Sequence, residues 1–175
     1  MAERRRPRWD VAPLRLADCD ELGEVHVRVW RETYAGVMPA DHLDGLSPQR
    51  SAATWRGIAE SPAHPGGGTL LARDGAGRLV GFVSSGPSRD ADAPTEWELY
   101  VLNLVAEVHG SGLADLLLDR ALGARDATLW VAAANARGRA FYSRRGFRLE
   151  GAAASHDPTG ISELRMVRRG GQTPL

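Results

Sequence analysis

The stretch EWELYVLNLVAEVHGSGLA, Glu96 to Ala114, decides the fold. Trp97 to Val105 is the most apolar run in the chain and reads as a central strand. His109-Gly-Ser-Gly-Leu-Ala114 then opens a helix running to about Ala124. The first turn of a helix carries unpaired N–H groups and the positive end of the helix dipole. Glycines there let a diphosphate approach the backbone with no Cβ in the way. A tight βα turn alone would use Gly110 and Gly112 equally well. A dinucleotide site fits poorly, because the segment lies late and the next strand, Thr128 to Val131, ends without an acid.

Upstream, Pro13 to Leu16 reads as a short strand and Asp18 as an N-cap. Leu22, Val25, His26, Val29 and Trp30 follow at helical spacing. Ser47-Pro48 starts a second helix with Trp55, Ile58 and Ala59 inward. Thr69 to Arg73 and Leu79 to Ser84 flank Asp74-Gly-Ala-Gly77, a hairpin signal. Downstream come a helix over Asn135 to Arg145, a strand over Phe147 to Ala152, a loop to Gly160 and a last strand near Glu163 to Val167. This order predicts an α/β fold of the α+β kind, with a mixed sheet rather than a doubly wound one. Residues 1–10 and 170–175 read as flexible tails around one domain, 11–169.

Composition narrows the function. With 22 basic against 22 acidic residues there is no basic excess for nucleic acid or a membrane surface. No apolar run approaches the roughly 18 residues of a membrane-spanning helix, and the arginine-rich start is followed by no apolar stretch. A cytoplasmic protein is the expectation. Cys19 is the single cysteine, which excludes an internal disulfide and a cysteine-based zinc site. All 22 basic residues are arginine, which excludes a Schiff-base lysine and a Walker lysine. His26, His42, His64, His109 and His156 have no metal-like spacing, so no metal is expected.

Two segments together resemble the GNAT superfamily of acyl-CoA-dependent N-acetyltransferases. The fingerprint Q/R-x-x-G-x-G/A after the fourth strand is met by His109, Gly112 and Ala114. The second signature, N-x-x-A-x-x-F-Y-x-x-x-G-F, is met in register by Asn135, Phe141, Tyr142, Gly146 and Phe147. His109 replaces the usual Gln or Arg. Ser111 and Asp115 stand where basic residues are common, and Gly138 replaces Ala. The resemblance implies a mostly antiparallel sheet flanked by helices and splayed after the fourth strand, with acetyl-CoA as co-substrate. It puts Leu102, Asn103 and Leu104 along the pantetheine arm. It sets Gly110 to Asp115, with His109 and Asn135, around the rest of CoA.

Acetyl transfer from a thioester needs a neutral amine, a stabilised oxyanion and a protonated leaving thiolate. By the same resemblance Tyr142 is the acid beside the sulfur and Glu98 the base. A glutamate on a central strand is expensive to bury without a partner, so Glu98 is either functional or paired with an arginine. The acceptor region runs over Trp30 to Leu46 and Ser155 to Gly160, with Trp30 and Tyr34 as candidate contacts. Trp130 stands where protein N-terminal acetyltransferases of the family often have a glutamate, which favours a small-molecule amine. Two rivals stand: a CoA-binding sensor or degenerate domain without turnover, and an enzyme acting on protein N-termini or side chains. A homodimer is left open.

Overall fold

The computed structural model describes residues 9–62, 64–156 and 160–170. Strands β1 (Asp10–Pro13), β2 (Gly68–Arg73), β3 (Leu79–Pro87), β4 (Trp97–Leu104), β5 (Ala127–Ala132), β6 (Arg148–His156) and β7 (Ile161–Arg168) form one sheet. Their order is β1-β2-β3-β4-β5-β7-β6. Every neighbouring pair is antiparallel except β4 with β5. That parallel pair is short: it joins only Glu98 to Thr128 and Leu99 to Leu129. Beyond it β4 stays with β3 as far as Leu104, and β5 stays with β7 as far as Ala132. The sheet therefore opens into a V, the predicted splay.

Helices α1 (Cys19–Tyr34), α2 (Ala40–Asp44) and α3 (Pro48–Glu60) precede β2; α4 (Leu113–Leu122) follows β4, and α5 (Ala136–Arg144) follows β5. On one face Cys19, Leu22 and Trp55 pack on Leu71, Leu79 and Phe82. On the other, Leu113, Leu117, Leu118 and Leu122 pack on Val80, Val83, Leu99 and Leu129. Gly23 allows α1 and α3 to touch closely. A Cβ there would lie 2.5 Å from the Pro48 carbonyl oxygen and 2.8 Å from Ala52 N. Ser47 caps α3 as expected, its hydroxyl accepting from Arg50 N at 3.2 Å.

Several boundaries differ from the sequence expectations. The first strand begins at Asp10, inside the stretch read as a tail, because β1 pairs from Asp10 with Arg73 to Pro13 with Leu70. Asp18 precedes α1 but does not cap it: its carboxylate accepts from Arg15 N and from Arg73 instead. Ile58 is exposed rather than inward. Strand β6 runs on to His156, through the first half of the expected loop. Gly170 is held by Asp126 rather than opening a tail. The expected tails over residues 1–8 and 171–175, and residues 157–159 of the acceptor loop, lie outside the described residues. Among the described residues no helix is long and apolar enough to cross a membrane.

Candidate active site

The V between β4 and β5 holds a cavity of about 490 Å³ that reaches from α4 and α5 to α1 and β7. Its β4 wall follows from strand geometry. Val105 N donates to Val80 O at 3.0 Å. Directly opposed residues that bond this way alternate along an antiparallel pair. Asn103 and Val101 accordingly bond to β3, while the peptide groups of Leu102 and Leu104 turn toward the gap that β5 has left. The Leu104 carbonyl accepts from His109 Nε2 across that gap at 3.2 Å. Of the three residues expected along the pantetheine arm, Leu102 and Leu104 offer backbone groups there. Asn103 is the exception, since its peptide is used by β3. The residue lines the cavity, and its buried Nδ2 has no hydrogen-bond partner among the described residues.

At the α4 end, His109, Gly110, Gly112, Ala114 and Asp115 line the cavity. Gly112 is the N-cap of α4 at φ +85°, and Gly110 sits at φ +72°. A Cβ at either would meet nothing within 4 Å, so the space over the helix end is open. Two expected residues do not line it. Ser111 turns its hydroxyl back to accept from Leu113 N at 3.3 Å, and the Leu113 side chain is fully buried in the core. The missing basic side chain comes from elsewhere: Arg137 Nη1 donates to His109 Nδ1 at 2.8 Å and lines the same wall. Asn135 lines the cavity and also caps α5, its Oδ1 accepting from Gly138 N at 2.8 Å. A Cβ at residue 138 would lie 2.8 Å from Asn135 Nδ2, so glycine there leaves the cap undisturbed.

Tyr142 reaches the middle of the cavity from α5, its ring edge-on to Phe141 and Phe147. Its Oη makes no hydrogen bond to another described residue, and burial, with a smaller push from Tyr34, raises the phenol above its ordinary value. It is thus held as an O–H, a donor with nothing yet to donate to.

Glu98 is not where a base is needed. It does not line the cavity. Only 3% exposed, its carboxylate accepts from Arg89 N at 3.0 Å and from Arg89 Nη2 at 2.5 Å, with Arg89 Nε 3.2 Å from both oxygens. Strict alternation would keep Glu98 and Tyr100 on one face. The β3–β4 register slips between Ser84 and Ser85, whose partners are Val101 and Leu99. Tyr100 is the extra residue of this bulge and is among the residues lining the cavity, but its ring lies under the same arginine as Glu98, 4.4 Å from the Arg89 guanidinium, with its hydroxyl donating to Pro87 O at 2.6 Å. The arginine-paired alternative for Glu98 is the observed one.

The opposite end is walled by Val29, Trp30, Thr33 and Tyr34 of α1 and by Glu163 of β7. Trp30 and Tyr34 stack edge to face at 5.3 Å. The Tyr34 phenol is raised by burial and by the charge of Glu163. Sequence reasoning missed Glu163, and it read Arg137 only together with Arg139, Arg144, Arg145 and Arg148, as a solvated basic face of which one or two could meet the 3′-phosphate of CoA. Glu163 carried no signal in the sequence, since only the pairing of β7 with β5 sets it opposite Ala132. Arg137 was one of several arginines on α5 with no sequence feature to single it out. Among the described residues no cluster of three or more His, Cys, Asp or Glu side chains forms a metal site.

Comparison with known proteins finds N-acetyltransferases and structures of the same fold. A model of the acetyltransferase (GNAT) domain matches residues 65–149. An uncharacterized N-acetyltransferase of Bacillus subtilis is 31% identical over 108 residues, which are 62% of this chain and 59% of that protein's length. A probable N-acetyltransferase of Mycobacterium tuberculosis is 26% identical over 147 residues, 81% of this chain and 80% of its own. Among solved structures, the PaiA N-acetyltransferase of Thermoplasma acidophilum, in complex with coenzyme A, superposes with a TM-score of 0.66 at 20% identity, covering 92% of this chain and 98% of that one. At such identity the superposition speaks for the fold.

Proposed function

We propose that the chain is a member of the GNAT superfamily of N-acetyltransferases, as the domain match over residues 65–149 and the N-acetyltransferase relatives support, and that it moves an acetyl group from acetyl-CoA directly to a primary amine of a small molecule. One observation carries the reading. A single cavity joins an open helix N-terminus, suited to a diphosphate, to the O–H of Tyr142 and then to an aromatic acceptor end. The donor fits the residues present. Gly110 and Gly112 leave the end of α4 uncovered, Arg137 supplies a cation there, and Leu102 and Leu104 offer peptide groups to a pantetheine amide.

The chemistry then asks little of the chain beyond placement and one proton. The neutral amine forms a C–N bond at the thioester carbonyl carbon. Backbone N–H groups along the open edge of β4 are the donors at hand for the oxyanion. The C–S bond breaks as the tetrahedral intermediate collapses, and the departing thiolate takes the Tyr142 proton. The amine's own proton leaves to a base on the acceptor side. Cys19, the first residue of α1, is buried in the core away from the cavity lining and takes no part, so no acyl-cysteine forms.

The test is a panel of primary amines with acetyl-CoA, following free thiol, beside a tryptophan-fluorescence titration with CoA. Amine-dependent thiol release supports the proposal. Saturable CoA binding with no amine-dependent release would overturn it in favour of a sensor without turnover.

A further inference from the structure

We infer that the floor of the V, made by Leu99 and Tyr100 of β4 with Leu129 and Trp130 of β5, limits the transferred group to a short acyl chain, acetyl or propionyl; this rests on the transfer reading above. The strands part just above that floor. Their parallel partners are Glu98 with Thr128 and Leu99 with Leu129. Leu99, Tyr100, Leu129 and Trp130 all line the cavity. Leu99 is 3% exposed and Leu129 1%. They are core residues and cavity lining at once, because the cavity ends on them. Both belong to the cluster built on Leu113, Leu117 and Leu118 of α4, so each side chain is enclosed by core atoms.

The other half of the floor is fixed from outside the cavity. Trp130 stands between Leu129 and Val131, which pack toward α4, and so turns to the opposite face. Its indole N–H donates to Asp90 at 2.8 Å, and the Arg165 guanidinium lies 5.4 Å from its ring centre. The Tyr100 hydroxyl donates to Pro87 O at 2.6 Å, and Arg89 lies 4.4 Å from its ring centre. Strand geometry then brings the acyl group to this floor. A pantetheine arm bonded to the peptide groups of Leu104 and Leu102 runs down β4 toward Leu99. From Leu102 to Leu99 is at most about 10 Å, and the bulge at Tyr100 shortens it. The inner amide nitrogen of such an arm and the thioester carbon are four bonds apart, about 5 Å when extended. The amine comes from the Trp30 and Tyr34 end and the sulfur leaves beside Tyr142, so the acyl chain is the substituent turned to the floor. A methyl or ethyl group fits there. Each further methylene meets side chains packed at core density.

The experiment is isothermal titration of CoA and of acetyl-, propionyl-, butyryl- and hexanoyl-CoA into the parent, Leu99→Val, Leu129→Val and Leu129→Ala, with no amine present. In the parent, acetyl- and propionyl-CoA should bind alike, and butyryl- and hexanoyl-CoA about tenfold or more weaker, the cost of forcing methylenes into a packed interior. The valine variants should reduce the butyryl penalty and Leu129→Ala the hexanoyl penalty. The kcat/KM for thiol release, with the amine acetylated fastest, should follow the same order of acyl chains. Equal affinity of the parent for acetyl- and butyryl-CoA, or a butyryl penalty that neither valine variant reduces, overturns the floor assignment and leaves acetyl transfer standing. Ordered affinities with no thiol release from any acyl-CoA and amine overturn the transfer reading, and with it the limit on transfer. Leu129→Ala empties a fully buried site, so its melting temperature is measured first. The valine variants and the parent's own ranking decide the matter if that variant does not fold.

Discussion

Arg137 Nη1 lies 2.8 Å from His109 Nδ1, and the other ring nitrogen of that histidine, Nε2, lies 3.2 Å from the Leu104 carbonyl oxygen. Since Arg137 can only donate, Nδ1 accepts and Nε2 carries the proton. His109 thereby ties β4 to α5 across the open sheet and holds the Arg137 guanidinium beside the start of α4. The loss of basic residues at positions 109 and 111 is offset in this way by a cation from another helix.

Arg137→Gln should therefore weaken CoA binding about tenfold, the worth of one charge-assisted contact of roughly 1.5 kcal/mol. S-acetyl-pantetheine has the thioester arm but no diphosphate, and its KM should not change. Tryptophan-fluorescence titration and steady-state rates give the two numbers. An equal loss with both donors would show that Arg137 supports the fold of α5 rather than a phosphate.

His26 predicts how stability varies with pH. Burial pushes it down to about 4 from an ordinary value of 6.5. Its Nδ1 accepts from Trp55 Nε1 at 3.2 Å, a contact that a second ring proton would oppose. Between those two values the unfolded chain binds a proton that the folded chain refuses. Stability is full above about pH 6.5 and falls as pH drops toward 4, by about 2–3 kcal/mol at the bottom. Asp74, Asp92 and Glu107 are lowered by their arginine partners, so their contribution is lost only at still more acid pH. Thermal melts of the parent and of His26→Gln between pH 4 and 8 should differ in slope above pH 4. Parallel curves would remove His26 from the account.

What could be read from the sequence was what local chemistry dictates. The glycine turn at 110–112, the helix start at Ser47-Pro48, the 74–77 hairpin and the apolar spacing of α1 each follow from a few neighbouring residues, and each is found. Contacts between distant segments could not be read in this way. Arg89 reaches Glu98 only because the β3–β4 connection folds back, and the same arginine then covers the Tyr100 ring at the one-residue bulge. Glu163 meets Tyr34 only when β7 is inserted between β5 and β6. No spacing rule encodes that insertion.

The pairing of Glu98 with Arg89 yields a prediction about stability rather than rate. Glu98→Gln should leave the pH dependence of kcat/KM unchanged, because the carboxylate is outside the cavity. Arg89→Met leaves a buried carboxylate with fewer donors and should destabilise by about 1–3 kcal/mol. The outer part of Arg89 is solvent-exposed, which holds the cost to the lower part of that range. Urea unfolding measures the second effect. A pH–rate profile that loses its acid limb in Glu98→Gln would restore Glu98 as the base.

Tyr142→Phe tests the acid. The ring keeps its contacts with Phe141 and Phe147, and the lost O–H makes no hydrogen bond to another described residue, so melting temperature and CoA affinity should hold. The proton is needed only as the thiolate departs. The kcat should accordingly fall about ten- to ten-thousandfold, the range for a placed proton donor. The deciding comparison uses acetyl-CoA against an acetyl thioester whose leaving thiol is more acidic. A better leaving group needs less protonation, so the defect should shrink with the second donor. An equal defect with both donors would take the acid role from Tyr142, and a lowered melting temperature with unchanged kcat would make it a packing residue. A shrinking defect at constant CoA affinity assigns the proton to Tyr142, because neither packing nor binding depends on the acidity of the thiol that leaves.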